Sequence, residues 1–259
     1  MGTDRCAYCS KLRSVDPVPK VIFALMTMPI CLASNHVLVG VVTCVVLSLC
    51  NLCLGGQKPR ALMGYLKVPA AFLLVGCLTI VLRPVGEQEA IWSVVLLGRF
   101  RWGITQEYLY QGLLVMSKAM GSISSMYFLS MNTPMTDLTM GLERMRVPKL
   151  LVELMELIYR FIFILSEEAK SIRIAQESRL GYYGVKGSMR ALGELASTLF
   201  HRALKRGERV YVALESRGYT GTLTTLPDHY QRGTWLYGLG VVVCGMQVVL
   251  VLINGRGIL

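Results

Sequence analysis

Apolar positions in this chain follow two different patterns. Three runs are almost continuously hydrophobic: His36–Leu54, Leu62–Leu82 and Gly233–Ile253. At about 1.5 Å per residue, helices of about 20 residues cross a hydrocarbon slab about 30 Å thick. A shorter run, Val21–Ala33, completes a further span if its flanks join it. Tyr108–Met131 makes another, with Lys118 near its middle. Between residues 132 and 232 the pattern becomes amphipathic. Leu150, Leu151, Leu154, Leu157, Ile158, Phe161, Ile162 and Leu165 fall within an arc of roughly 140°, opposite Glu153, Glu156 and Arg160. Leu192, Leu195, Ala196, Leu199, Phe200 and Ala203 form a second such face, opposed by Glu194, His201 and Lys205. Thr136 and Asp137 offer capping chemistry for a helix that stops before Pro148. No strand alternation is visible in this block. The pattern predicts an all-α polytopic membrane protein with about five transmembrane helices and a helical cytoplasmic coupling region. Its expected divisions are a leader with spans one to four over 1–131, amphipathic helices over 132–232, and a last span with a short tail over 233–259.

Composition agrees: 53% of residues are hydrophobic and mean hydropathy is +0.50. The net charge of +11 is assigned to orientation in a membrane, because Lys and Arg gather in cytoplasmic loops. Fourteen basic and eight acidic residues lie between Arg144 and Arg217, which places that block in the cytoplasm. The basic leader (Arg5, Lys11, Arg13, Lys20) shares that side, so the N-terminus is expected to be cytoplasmic and Pro84–Glu107 external. Trp92, Trp102, Arg99 and Arg101 in that outer loop suit the membrane interface. The signatures of a nucleic-acid module are missing. A cleaved signal peptide is disfavoured by the hydrophilic leader with Pro17 and Pro19. Cys6-x-x-Cys9 and Cys50-x-x-Cys53 have ligand-like spacing but are two separate pairs. Cys31, Cys44, Cys77 and Cys244 sit inside spans as small apolar side chains.

The basic block carries a short motif twice, 38 residues apart: Ala175-Gln176-Glu177-Ser178-Arg179 and Ala213-Leu214-Glu215-Ser216-Arg217. On helices, Ile172, Ala175, Gln176 and Arg179 share a stripe, as do Val210, Ala213, Leu214 and Arg217, with Glu177 and Glu215 turned away. Gly181 and Gly218 follow as helix terminators. An arginine at a helix C-terminus complements the dipole and offers a planar fork to a partner's carboxylate or carbonyls. The bland alternative is that each arginine caps its own helix. Repetition and small neighbours favour docking.

In these residues the chain resembles the transmembrane T component of energy-coupling factor (ECF) transporters, and more closely the cobalt-type CbiQ family. The stretch LFHRALKRGERVYVALESRGYTG (Leu199–Gly221) carries the likeness, with SKLRSVDPVPK (Ser10–Lys20) and NTPMTDLTMGLERMRVP (Asn132–Pro148) in support. The resemblance implies a scaffold in a bacterial cytoplasmic membrane. It would join two cytoplasmic ABC ATPase subunits to a membrane-embedded substrate-binding S component, for uptake of cobalt or nickel. Ser178-Arg179 and Ser216-Arg217-Gly218 would be the coupling tips, supported by Ala175, Ala213, Gly181 and Glu215. The family pattern is Ala-Arg-Gly. Serine replaces alanine in both copies here, and Leu180 intervenes before Gly181 in the first, which implies unequal grip on the two ATPases. ATP and Mg would be bound by those ATPases and no cofactor by this chain, which has no G-x-x-x-x-G-K-[ST] loop.

Two rival classes remain. An intramembrane enzyme needs convergent ionisable residues within the spans, where mainly Lys67 and Lys118 occur, and His36, His201 and His229 lie far apart. A self-sufficient channel or secondary transporter would use Lys118 as its pathway charge, against the structural reading that Lys118 pairs with a neighbouring helix. Met116, Met120, Met126 and Met131 share no regular face and read as packing.

Overall fold

The structure, a computed structural model, describes residues 2–84, 92–96, 100–219 and 230–255. Arg99, His229 and Thr220–Gly221 lie outside these residues, as do the side chains of Trp92, Arg101 and Trp102. The chain forms two compact units, Met1–Gly141 with His229–Leu259, and Leu142–Asp228.

The first unit is a helical bundle. A short helix, α1 (Gly2–Cys9), and a 3-10 turn at Lys11–Ser14 lead into α2 (Pro17–Ala33). The two leader prolines therefore belong to the first turn of α2, where a missing N–H costs nothing, and Asp16 caps it by accepting from the Val18 N–H at 3.2 Å. Next come α3 (Val37–Cys53), α4 (Pro59–Val81), α5 (Gln106–Asn132) and, near the end of the chain, α9 (Thr234–Gly255). By length and apolarity α4 and α9 qualify as membrane-crossing helices, whereas α2 and α3 are apolar but shorter.

A small antiparallel sheet interrupts the helices between α4 and α5, outside the 132–232 block in which no strand alternation is visible. It consists of β1 (Arg83–Pro84), β2 (Trp92–Leu96) and β3 (Phe100–Ile104), in the order β1-β3-β2. Val94 pairs with Trp102 and Leu96 with Phe100. Aromatic and β-branched residues favour strands, but the short run hides the alternation that would have announced them.

Helix α5 is central, and its contacts fix the direction of its neighbours. Along α3, Gly40 abuts Ser117, the Ser124 hydroxyl meets Cys44 Sγ at 3.2 Å, and Asn132 meets Asn51 at 2.7 Å. Helices α3 and α5 thus run in the same direction. Along α2 the order reverses: Lys20 donates to the Asn132 carbonyl at 3.3 Å, Phe23 packs edge-on against Phe128 at 4.9 Å, and Cys31 lies against Gly121. Tyr127 reaches the Tyr65 carbonyl and Gly112 meets Cys77 and Val81, so α4 also opposes α5. Helix α9 runs with α2, since Gly233 meets Val15 and Gln247 donates to Thr43 Oγ1 at 2.8 Å and the Thr27 carbonyl at 3.4 Å.

Polar side chains knit one end of the bundle. Ser10 donates to Asn132 Oδ1 at 2.7 Å, and Asn132 donates to Asn51. Gln231 exchanges backbone hydrogen bonds with Ser14 and Asp16. Nearby, Tyr230 donates to the buried Asp137 at 3.2 Å. Asp137 lies in the first turn of α6 (Met135–Arg144), so it belongs to the helix rather than acting as its cap.

The second unit is built from α7 (Lys149–Ser178) and α8 (Gly184–Glu215). Their contacts pair Gln176 with Ala191, Glu168 with Arg206, and Glu153 with Tyr219, so the two helices run in opposite directions. The Arg206–Glu168 ion pair, 2.6 Å and half-buried, joins them along their length.

Candidate functional site

Each repeated motif occupies the last turn of a long helix. Ala175 and Ser178 lie within α7 and Arg179 follows it directly; Ala213 and Glu215 lie within α8, followed by Ser216, Arg217 and Gly218. Each amphipathic stretch and its motif therefore form one uninterrupted helix of 30 or 32 residues.

The two ends are built alike. In the first, the Arg179 N–H donates to the Gln176 carbonyl at 3.2 Å, Leu180 to Glu177 at 3.0 Å and Gly181 to Gln176 at 2.9 Å. In the second, Arg217 donates to Leu214, Gly218 to Glu215 and Tyr219 to Leu214, each at 3.0 Å. Both are Schellman caps, in which a residue in the left-handed region lets the chain satisfy the last carbonyls. That residue is Gly218 in the second copy, at φ 75°, but Leu180 in the first, at φ 58°. The expected role of Gly181 as the helix-ending residue is corrected accordingly: it lies one place too late and supplies the next cap N–H instead.

The arginines are open to solvent. Ala175, Ser178, Arg179, Ala213, Glu215, Ser216, Arg217 and Gly218 are all exposed, and Gly181 is partly so. Among the described residues neither the Arg179 nor the Arg217 guanidinium makes a hydrogen bond or ion pair. Neighbouring acids are differently engaged, since Glu177 pairs with Arg173 at 2.8 Å. Gln176, expected on the same outward stripe as Arg179, instead turns toward α8. Its amide donates to the Ala191 carbonyl at 3.0 Å and its oxygen accepts from Tyr182 at 2.9 Å. Tyr219 donates to Glu153 Oε2 at 3.1 Å. Desolvation and the Glu153 carboxylate both push the Tyr219 phenol upward, so it remains the donor in this bond.

These braces were invisible in the sequence. Tyr182 and Glu153 lie in no motif, Tyr219 lies in the Leu199–Gly221 stretch without any sign of its partner, and only the opposed run of α7 and α8 brings Glu153 to the second tip. A tip at each helix C-terminus also sets their spacing. One precedes α8 and the other ends it, so a straight α8 separates them by roughly 48 Å at 1.5 Å per residue.

Lys118 donates to Asn35 Oδ1 at 3.1 Å, which matches the expectation of a paired structural lysine. Among the described residues no three His, Cys, Asp or Glu side chains come together as a metal site, and neither CxxC pair joins another cluster.

An apolar helical bundle followed by an amphipathic hairpin defines the class, a helical membrane protein. Comparison with known proteins narrows this. The model of the cobalt transport protein family CbiQ matches residues 9–226, and the chain belongs to that family. It is 33% identical over 223 residues to an uncharacterised protein of Methanocaldococcus jannaschii, covering 86% of this chain and 82% of the relative. It is 32% identical over 238 residues to a putative fused cobalt transport protein CbiMQ of Methanocorpusculum labreanum, covering 92% of this chain and 39% of that longer protein. It is 30% identical over 220 residues to the cobalt transport protein CbiQ of Salmonella typhimurium, covering 85% and 97% respectively. Further relatives are named energy-coupling factor transporter transmembrane protein EcfT. The chain is accordingly a transmembrane component of the energy-coupling factor type.

Proposed function

We propose that this chain couples two cytoplasmic ATPase subunits to a membrane-embedded substrate-binding component. Its cargo would be a transition-metal ion, cobalt in the first place and nickel in the second. The observation that carries the reading is the duplicated cap. Two solvent-exposed guanidiniums, without a partner among the described residues, follow similarly capped helix ends at opposite ends of one hairpin. An arginine fork seated in a partner's groove typically contributes about 2–5 kcal/mol when truncated. Two such anchors about 48 Å apart suit a pair of motor subunits rather than a single ligand. ATP-driven approach of the two ATPases would move the tips, and α7 and α8 would carry that motion toward the substrate-binding component.

Helix directions support five crossings. The start of α2, the end of α3, the start of α4, the end of α5 and the start of α9 all lie at the polar-knitted end of the bundle. With relatives in both archaea and bacteria, the cytoplasmic membrane is the location this reading assigns. The relatives' names favour cobalt, as does fusion of a homologous segment within a CbiMQ protein.

The test is co-expression with the two ATPases and the substrate-binding component. Arg217→Ala is expected to insert normally, to lose ATPase on purification and to abolish ATP-driven uptake. Arg179→Ala is expected to lose less. Full ATPase retention and uptake in Arg217→Ala would refute the docking assignment. Metal transport by this chain alone in liposomes would favour the channel reading instead, although the pairing of Lys118 with Asn35 argues against a free pathway charge.

A further inference from the structure

Glu153 is a buried carboxylate, only 8% exposed, that docking alone leaves without a task. It sits one turn into α7, and its Oε2 accepts the Tyr219 hydroxyl 66 residues further along the chain. Tyr219 follows Arg217 by two positions, and its own N–H closes the second cap on the Leu214 carbonyl. One residue therefore ends α8 with its backbone and grips the beginning of α7 with its side chain.

Among the described residues the first tip has no equivalent. Tyr182 bonds to Gln176 of the same helix end, Gln176 reaches Ala191 just past the turn, and the Arg173 guanidinium lies 5.8 Å from the Tyr182 ring centre. That brace is local. The second tip is instead tied across the hairpin to the point where the chain enters α7 from α6. A push applied at Arg217 has two routes to that point: back along α8, around the turn and down α7, or straight across one hydrogen bond to an ionised acceptor. The second route is short, and bonds of this kind are stronger than neutral ones.

We infer that Tyr219 and Glu153 are a transmission link, a positioning pair that passes displacement of the second tip directly to the start of α7. The inference rests on the docking reading above but makes a separate claim: Arg217 holds the ATPase, whereas Tyr219–Glu153 delivers its motion.

The experiment uses the complete transporter in proteoliposomes with ATP on the ATPase face. It reads ATPase retention on purification, ATP hydrolysis, and uptake of Co2+ and, in parallel, Ni2+. Tyr219→Phe removes one hydroxyl and is expected to retain both ATPases while uptake per ATP hydrolysed falls roughly tenfold, the scale of one lost charge-assisted bond. Glu153→Leu, which leaves Tyr219 and the cap intact, is expected to behave the same way and decides the question from the other end if Tyr219→Phe does not assemble. Glu153→Gln keeps an acceptor oxygen for the phenol and is expected to retain most of the uptake, a rescue that simple loss of folding would not give. Unchanged uptake per ATP in Tyr219→Phe and Glu153→Leu overturns the link, as does loss of ATPase in step with uptake, which would make the pair a support for the tip alone. Arg217→Ala in the same preparation reports docking separately. If it sheds ATPase while the link variants are silent, only the present inference falls.

Discussion

At Leu180 the backbone adopts φ 58°, a region that costs an L-residue about 1–2 kcal/mol, and the second copy places Gly218 at the same step of the cap. The two copies should therefore respond oppositely to substitution. Gly218→Ala is expected to lower stability by about 1 kcal/mol, because it introduces this strain. Leu180→Gly relieves it at the expense of a looser unfolded chain, so stability should hold within about 0.5 kcal/mol or rise. Thermal unfolding of the detergent-solubilised chain reads both, and equal losses would contradict the shared cap. A second residue-scale prediction concerns pH. Asp137 is 3% exposed, accepts from Tyr230 through Oδ1, and leaves Oδ2 without a partner among the described residues. Burial raises its pKa above the ordinary 3.8, outweighing Tyr230 and Lys20, which pull it down. The folded state thus favours the protonated form. That contribution is fully present below the ordinary value and is lost as pH rises through the raised one. Asp137→Asn is expected to flatten the stability profile across that window while keeping an acceptor for Tyr230. An unchanged profile would show that Asp137 does not titrate there.

Among the helices, close approach is decided by a few small residues. A Cβ on Gly40 would lie 2.4 Å from the Ser117 carbonyl carbon and oxygen, which are backbone atoms that cannot step aside. Gly40→Ala must push α3 away from α5, at about 1–3 kcal/mol or more. Gly64 in α4 has nothing within 4 Å, so Gly64→Ala should be neutral or stabilise by up to about 1 kcal/mol through helix propensity. Opposite shifts in melting temperature are expected, and a stable Gly40→Ala bundle would refute the tight crossing. The boundaries of α3, α4 and α9 were legible in the sequence, because long apolar runs end where polar or turn residues begin. The continuity of α7 was not. Between Ser166 and Arg173 the apolar stripe fades into Glu167, Glu168, Lys170 and Arg173, so periodicity alone does not carry the helix from Leu165 to the motif. Within that polar stretch Arg173–Glu177 is an i,i+4 pair that favours the helix, and Glu168–Arg206 ties it to α8. Nor were the buried polar contacts legible. Gln247, Asn132 and Lys20 look like isolated exceptions in greasy or leader segments until the bundle brings Thr43, Asn51 and the Asn132 carbonyl to them.

For the whole molecule, the arginine motifs were found from repetition alone, but their placement depended on tertiary direction. A helix of 32 residues separates them, and their caps face away from opposite ends of the hairpin. If the docking reading is right, both tips must stand on the same side of the membrane as the N-terminus, the side to which basic segments are retained. Asn35, exposed between α2 and α3, lies at the other end of the bundle and serves as the control. After replacement of the eight native cysteines, single cysteines at Ser178, Ser216 and Asn35 can be probed with a membrane-impermeant maleimide. Ser178→Cys and Ser216→Cys are expected to react only in inverted vesicles, and Asn35→Cys only in intact cells. Adding the ATPase subunits should then protect positions 178 and 216 together while leaving position 35 unaffected, since on the docking reading both tips are engaged by a single assembled motor. Protection of one tip without the other would mean that the hairpin holds only one subunit, and labelling of either tip from outside would remove the basis for coupling altogether.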